Sequence, residues 1–559
     1  MKTQNKITRS IALLILFTSQ VSVVAQLKAP SATTAKPSAD ELKLAGDWEG
    51  RLLGQLDMIF HIQPPAGEAK PWAGSFDVPV QNVKGFDLGN IVVKDNEIQF
   101  QLKGVPGDAN FGGKLAADGM TIEGRFRQGI LNQPMTLKKK QAEPVLFDTR
   151  AIDELANRLL ADWKAPGLAL AIVRDGKVIH AAGYGFKNVE KKAAMTADTL
   201  LAIGSCTKAF TTTLIASLVD EGRLDWDKPV QSYWPEFRMS DLKTAGLVTL
   251  RDMVTHRTGL PRHDLIWFAG ELPRGEIVRR IEHLPVTQPI RQKWIYNNLM
   301  FVAAAVAAER ATGKSWEELI QARILDPLEM KRTTLHIAEM TKDADHATGY
   351  QADGVAKEGF AAKPYREIAG MAPAGSINSS VKEMAKWIAF QLGQNAGGKA
   401  SPLPGRKTLE MLHQPQMITA SAPTGTKEVH SMGYAMGWGV ESYRGHRHVE
   451  HGGAIDGFVA QVELFPDDNL GIVALVNQSG NGLPGVICPM IADRVLKMQP
   501  VDWSGQALQQ MTAAKALKKQ AGDAGKLKVE GTRPSHDLKA FEGVFENPGY
   551  GQIAFELNE

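Results

Sequence analysis

Ser205 and Lys208 stand three positions apart in Ile203-Gly204-Ser205-Cys206-Thr207-Lys208-Ala209-Phe210, where a short apolar segment gives way to helical periodicity. On a helix, positions i and i+3 share a face, so the Lys208 amine can lie beside the Ser205 hydroxyl while Cys206 and Thr207 point elsewhere. A serine hydroxyl is a poor nucleophile until a neighbouring base takes its proton. Lysine is such a base only where burial or nearby cations hold it partly neutral. The first-turn N–H groups would favour negative charge developing there. The chemistry this spacing describes is acylation of Ser205. By itself, Ser-x-x-Lys equally describes a helix start with a solvated lysine, so the reading depends on other segments.

Two more segments carry polar groups at element ends. Tyr296-Asn297-Asn298 precedes a helical run over 299–312 that Gly313 stops, and His451-Gly452-Gly453-Ala454 precedes a strand beginning at Gly457-Phe458. Taken singly, the first is a common helix start and the second a common turn. The elements that must bring them together are also readable. Residues 152–163 read as a helix, and 167–174 and 177–184 as apolar strands around an Asp175-Gly176 hairpin turn. Residues 458–465 and 470–476 read as strands flanking Pro466-Asp467-Asp468-Asn469. Early and late strands with helices between them imply one antiparallel sheet, closed by both ends of the domain, with a helical lobe inserted and a cleft between.

In this order and on these elements, the three segments resemble those of the penicillin-recognising serine hydrolases: class C β-lactamases, low-molecular-weight penicillin-binding proteins, and related esterases and D-amino-acid peptidases. The resemblance spans roughly residues 148–500. Gly183-Tyr184-Gly185, Glu221-Gly222-Arg223-Leu224-Asp225, His256-Arg257-Thr258-Gly259-Leu260-Pro261 and Gly433-Tyr434-Ala435-Met436-Gly437-Trp438-Gly439 look like that family's recurring segments. It implies an α/β (α+β) fold, a β-lactamase/transpeptidase-like antiparallel sheet flanked by helices plus a helical lobe. It also implies that Ser205 attacks a carbonyl, Lys208 assists its deprotonation, and Tyr296, as phenolate or through a shared proton, passes a proton to the leaving group. Asn298 would hydrogen-bond the substrate's acyl side chain or Lys208. The backbone N–H groups of Ser205 and Ala454 would form the oxyanion hole, with Gly452 and Gly453 admitting substrate to the strand edge. Where the β-lactamases carry Lys-Thr-Gly or Lys-Ser-Gly, this chain has His451-Gly452-Gly453. A histidine is only partly charged at neutral pH and glycine has no hydroxyl, so the antibiotic's carboxylate loses its anchor. The expected protein is an esterase or a peptidase- or amidase-like hydrolase with weak β-lactamase activity at most. The alternatives are a true class C-type β-lactamase and a penicillin-binding sensor acylated without turnover.

Outside that region, residues 1–25 have the form of a signal peptide, with Lys2, Lys6 and Arg9 before an apolar centre and a small-residue cleavage site ending at Ala25. Its apolar run is too short for a transmembrane anchor, so a periplasmic or secreted protein is expected. Residues 26–45 read as a spacer, and 46–142 as a small all-β domain of alternating segments and turns, a barrel or sandwich. A helical and linker segment (501–535) leads to the start of a β module (536–559) that looks incomplete.

The 559-residue chain is 43% hydrophobic, ample for two or three domains, and its formal charge of +3 is matched by the three basic residues of the leader. Such a balance gives no sign of nucleic acid as a partner; the expected partner is a small-molecule or peptide substrate with a reactive carbonyl. With only Cys206 and Cys488, a disulfide scaffold is excluded. Strand alternation puts His446, His448 and Glu450 on one face and His451 on the other, so no metal site is expected, and no cofactor. A Ser-His-Asp triad using His263 and Asp264 is the remaining rival, but Ser205 lacks the Gly-x-Ser-x-Gly elbow.

Overall fold

The computed structural model describes residues 41–65, 71–81, 83–140, 148–268, 271–352, 359–394, 401–419, 426–525 and 531–557, with backbone alone over 518–525. The leader and most of the spacer lie outside the described residues. The chain divides into two compact units, Met1–Leu146 and Phe147–Glu559.

In the first unit, eight antiparallel strands, Gly46–Leu52, Leu56–Gln63, Ala73–Val78, Val83–Lys94, Glu97–Leu102, Asn110–Leu115, Thr121–Gln128 and Leu131–Lys139, follow one another around a closed barrel. Closure is made by the first strand pairing with the last, Trp48 opposite Lys139 and Gly50 opposite Leu137. Tight hairpins do the rest: Asp95 and Asn96 both take positive φ between Lys94 and Glu97, the turn geometry whose twist matches that of paired strands. Alternate residues point inward, and Trp48, Phe60, Phe76, Phe100, Phe111 and Phe126 fill the interior.

In the second unit the central sheet has eight strands: β1 (Gly167–Arg174), β2 (Lys177–Asn188), β3 (Ala193–Ala194), β4 (Val429–Tyr434), β5 (Gly439–Tyr443), β6 (His446–Ile455), β7 (Phe458–Phe465) and β8 (Leu470–Val476). Their spatial order is β3-β2-β1-β8-β7-β6-β5-β4, all antiparallel. The two ends of the domain thus meet at the β1–β8 ladder. Both strands are buried on both faces, which is why they read as unbroken apolar runs. On one face Leu168, Leu170 and Ile172 pack against helices α1 (Thr149–Asp162) and α4 (Leu483–Val495). On the other, Ala169, Ala171 and Val173 join the core of the helical lobe. At the heart of that lobe lie α2 (Thr207–Asp220) and α3 (Asn298–Thr312). Helix α2 is buried nearly all round, and the Phe210 ring stacks on Trp387 with centroids 3.7 Å apart. Ser205 falls one step before the expected helix, in a 3-10 turn over Gly204–Cys206 that leads into α2. At three residues per turn, positions 205 and 208 still face the same way.

Beyond the sheet, α5 (Trp503–Gly525) occupies much of the expected helical and linker segment, and a two-stranded hairpin pairs Gly543–Asn547 with Gly551–Phe555. At its tip the Tyr550 hydroxyl is 2.6 Å from His263 Nδ1.

One buried charge organises the lobe near the site. Thr249 and Asp252 form a reciprocal cap on the short helix Leu250–Val254. The Asp252 side chain is fully buried and also accepts from Arg257 Nε at 2.6 Å and Arg291 Nη2 at 2.8 Å. Burial opposes its charge, but Arg291 and Arg257 outweigh it and hold the carboxyl below its ordinary value. A depressed carboxyl pKa contributes stability above the unfolded pKa of about 3.9, and that contribution is lost as pH falls through the folded value. Asp252→Ala should lower the unfolding free energy by about 3 kcal/mol at neutral pH, because two guanidinium groups lose their partner. Denaturant titrations at pH 7 and pH 3 measure this, and the difference between the wild type and the variant should shrink at the lower pH.

Candidate active site

The three groups that sequence spacing singled out converge. Ser205 Oγ lies 3.0 Å from Lys208 Nζ and 2.8 Å from the Tyr296 hydroxyl. Lys208, 0% exposed, also donates to the Ala374 carbonyl at 2.8 Å. Burial, and after it the nearby Arg262 guanidinium, draw the Lys208 pKa down to about 7. A substantial fraction of the amine is therefore neutral at physiological pH. Tyr296 moves the opposite way: burial raises its pKa well above the ordinary value, and the Ser205 hydrogen bond and Arg262 offset only part of that. The resting phenol is neutral, which disfavours the phenolate form of the sequence expectation and leaves the shared-proton form.

Opposite the nucleophile runs β6. Its pairing with β5 ends at Glu450 opposite Gly439, so from His451 onward the strand has a free edge on that side among the described residues. A face of this stretch of strand meets the nucleophile turn at contact distance. A Cβ on Gly453 would sit 1.9 Å from the Ile203 carbonyl oxygen and 3.1 Å from Ser205 N; one on Gly204 would sit 2.7 Å from Ala454 N. Only glycine at 453 allows that approach, which brings the backbone at Ser205 close to that at Ala454.

Two expectations need correction. Asn298 does not bond Lys208 among the described residues: its Nδ2 donates to Asp264 Oδ1 at 3.0 Å. The carbonyl that Lys208 meets belongs to Ala374 instead. His451 is not partly charged. Its Nδ1 is 2.6 Å from the Gly452 carbonyl, which places a proton on Nδ1, and its Nε2 is 3.0 Å from the Tyr434 hydroxyl. Burial and Lys208 lower its pKa to about 3.

The rival readings meet other partners. His263 spends its nitrogens on Tyr550 and the Pro285 carbonyl, and Asp264 spends its carboxylate on Arg262, Trp267 and Asn298. His446 pairs with Asp468, and His448 lies between Glu441 and Glu463. Cys206 and Cys488 are free, buried thiols, and burial pushes both pKa values up.

Several residues at the site escaped the sequence reading. His256 accepts from Asn297 N at 3.0 Å through Nδ1, and its ring packs 4.4 Å from that of Tyr296 and 4.9 Å from that of Tyr434. Burial and Lys208 hold it well below the ordinary histidine range, so it is a neutral spacer beneath the phenol. The Arg262 guanidinium lies 5.0 Å over the Tyr296 ring. His256 and Tyr434 sat in noted motifs; Arg262, one position beyond such a motif, had no signal of its own.

The family profile described as Beta-lactamase matches residues 152–495, more than half of the chain, and the chain belongs to the beta-lactamase family. It is a serine hydrolase of that family. It is similar to the unguisins hydrolase ungD of Aspergillus violaceofuscus, 27% identical over 424 residues that cover 71% of this chain and 74% of the relative. Among solved structures it is similar to the octameric penicillin-binding protein homologue from Pyrococcus abyssi, with a TM-score of 0.55 and 25% identity over 63% of this chain and 78% of the other. It also shares the fold of the D-amino acid amidase from Ochrobactrum anthropi, with a TM-score of 0.52 and 23% identity over 62% of this chain and 97% of the other.

The Gly453 contact gives a direct prediction. Gly453→Ala forces the strand and the nucleophile turn apart, and displacements near 1 Å cost about 100-fold in rate. Labelling of Ser205 by a fluorophosphonate, followed by mass spectrometry, should slow by at least that factor of about 100, while circular dichroism stays unchanged.

Proposed function

We propose that this chain is an exported hydrolase that cleaves amides or esters, D-amino-acid peptides among the candidate substrates, through an acyl intermediate on Ser205. The observation that carries the reading is the double approach to Ser205 Oγ by Lys208 Nζ at 3.0 Å and the Tyr296 hydroxyl at 2.8 Å. In its neutral form Lys208 donates to Ala374 O and takes the serine proton with its lone pair as Oγ bonds to the acyl carbon. The N–H groups of Ser205 and Ala454 receive the oxyanion. Tyr296 gives its proton to the leaving group as the acyl bond breaks. The phenolate that results lies beside the protonated Lys208, and takes a proton from the water that attacks the acyl-serine. Loss of the alcohol restores the starting protonation, with one water consumed.

The neutral, braced His451 supports the esterase or amidase reading over efficient β-lactam turnover. It stands where the β-lactamases carry a lysine, and offers no positive charge to a carboxylate. Support for a hydrolase rather than a sensor comes from retention of both Lys208 and Tyr296 around the nucleophile.

An activated nitrophenyl ester should show a burst followed by sustained turnover, and a chromogenic cephalosporin little or none; Ser205→Ala should abolish both phases with the ester. A stoichiometric burst with no turnover would replace this reading with the sensor. The acylation rate should rise with pH through about 7 as Lys208 loses its proton. Lys208→Met should remove that limb and cost about 100-fold or more, as loss of a general base does. Export is tested by N-terminal sequencing of the protein recovered outside the cytoplasm, which should begin at Gln26.

A further inference from the structure

A cavity of about 310 Å³ opens beside Tyr296, on the side where β5 and β6 part. Trp294, Tyr296, Tyr434, Glu441 and Glu450 are among the residues that line it. No lysine or arginine occurs among its described lining residues, and its one imidazole, His451, is neutral with both nitrogens engaged. The volume is at the lower end of that of small-molecule sites, enough for one amino-acid residue.

Glu450 is the carboxyl at the point where β5 and β6 part. One oxygen, Oε2, accepts from Gln461 Nε2 at 3.0 Å. The other lies over Gly439, where a Cβ would come within 2.3 Å of it, so a glycine there leaves room for the carboxyl. The cation on the same strand face is His448, whose pKa Glu441 and Glu463 hold up at about 10 against the effect of burial. Its Nδ1 is 3.3 Å from Glu441 and its Nε2 is 3.5 Å from Glu463, so it pairs with those two and reaches Glu450 only by a longer-range attraction. Glu450 has no ion-pair partner among the described residues, and burial raises its pKa to about 7. A carboxyl so placed gains a partner when a cation enters the cavity. The adjoining aromatic faces favour a cation as well.

The position of the cavity fixes which half of a substrate meets it. Tyr296 hands its proton to the departing group, so that group lies on the Tyr296 side of the acyl carbon, against this cavity. We propose that the cavity is the leaving-group subsite, and that Glu450, with Glu441 beside it, selects leaving groups bearing an ammonium or guanidinium over those ending in a carboxylate. The inference rests on the acyl-serine reading, and reverses the charge preference of a site built around a lysine.

The test uses peptides with one common acyl part and three leaving groups: lysinamide, glycinamide and glycine with its free carboxylate. With the full-length wild-type protein, kcat/KM should fall in that order, by about tenfold or more between the extremes, as expected for complementary against like charge. In Glu450→Gln the ratio of lysinamide to free glycine should move toward unity, and in Glu450→Lys it should invert. Equal kcat/KM for the three leaving groups in the wild type, with a normal ester burst, would overturn the subsite assignment alone. Absence of the wild-type ester burst would overturn the acyl-serine reading beneath it. Should both variants misfold, competitive inhibition of the wild type by lysinamide but not by acetylglycine supports the assignment, and the reverse order overturns it.

Discussion

A lysine sealed from solvent is the constraint on which the rest of this site depends. An ammonium without a carboxylate beside it is costly to bury, and the protein meets that cost with one carbonyl, one hydroxyl and a lowered pKa. The surrounding parts are consistent with this. The helix carrying Lys208 is buried almost all round, so water does not reach the amine from behind. Neutral His256 and His451 occupy places where further positive charge would raise that cost. Tyr296, kept neutral, supplies a proton donor without adding charge. Reactivity and burial are here one fact, since the environment that makes the amine a base is the core of the helical lobe.

The sequence made local relations legible and left encounters between distant segments obscure. The i to i+3 relation of Ser205 and Lys208 survives a change from α to 3-10 geometry, because both put those positions on one side. Tyr296 was marked by its place before a helix that Asn297 caps. The hairpins at Asp95-Asn96 and Asp175-Gly176 were written in residues that tolerate positive φ. Asn298 shows the limit: its partner Asp264 is 34 positions away, and no pattern within either segment announces the bond. The charge on His451 is another case, because it depends on burial and on Lys208, 243 positions away in the chain. Whether the N-terminal strands formed a barrel or a sandwich turned on a single pairing between the first and last of them.

The two units manage their strand edges differently. The barrel closes on itself through the pairing of its first and last strands. In the hydrolase sheet the β5 side of β6 is also unpaired beyond Glu450, and the nucleophile turn packs on that stretch of strand. An unpaired stretch of strand, elsewhere a liability, is here the place where a substrate backbone can be aligned with Ser205.

The β1–β8 ladder carries a consequence for the order in which the polypeptide acquires its shape. It joins segments about 300 residues apart along the chain, a long loop to close before its contacts reward the closure. The barrel needs only contacts within residues 46–139, so it can be complete while the hydrolase half is still being synthesised. The nucleophile turn, by contrast, stays without its opposing strand until residue 453 and its neighbours emerge, which delays hydrolytic competence to the last stage of folding.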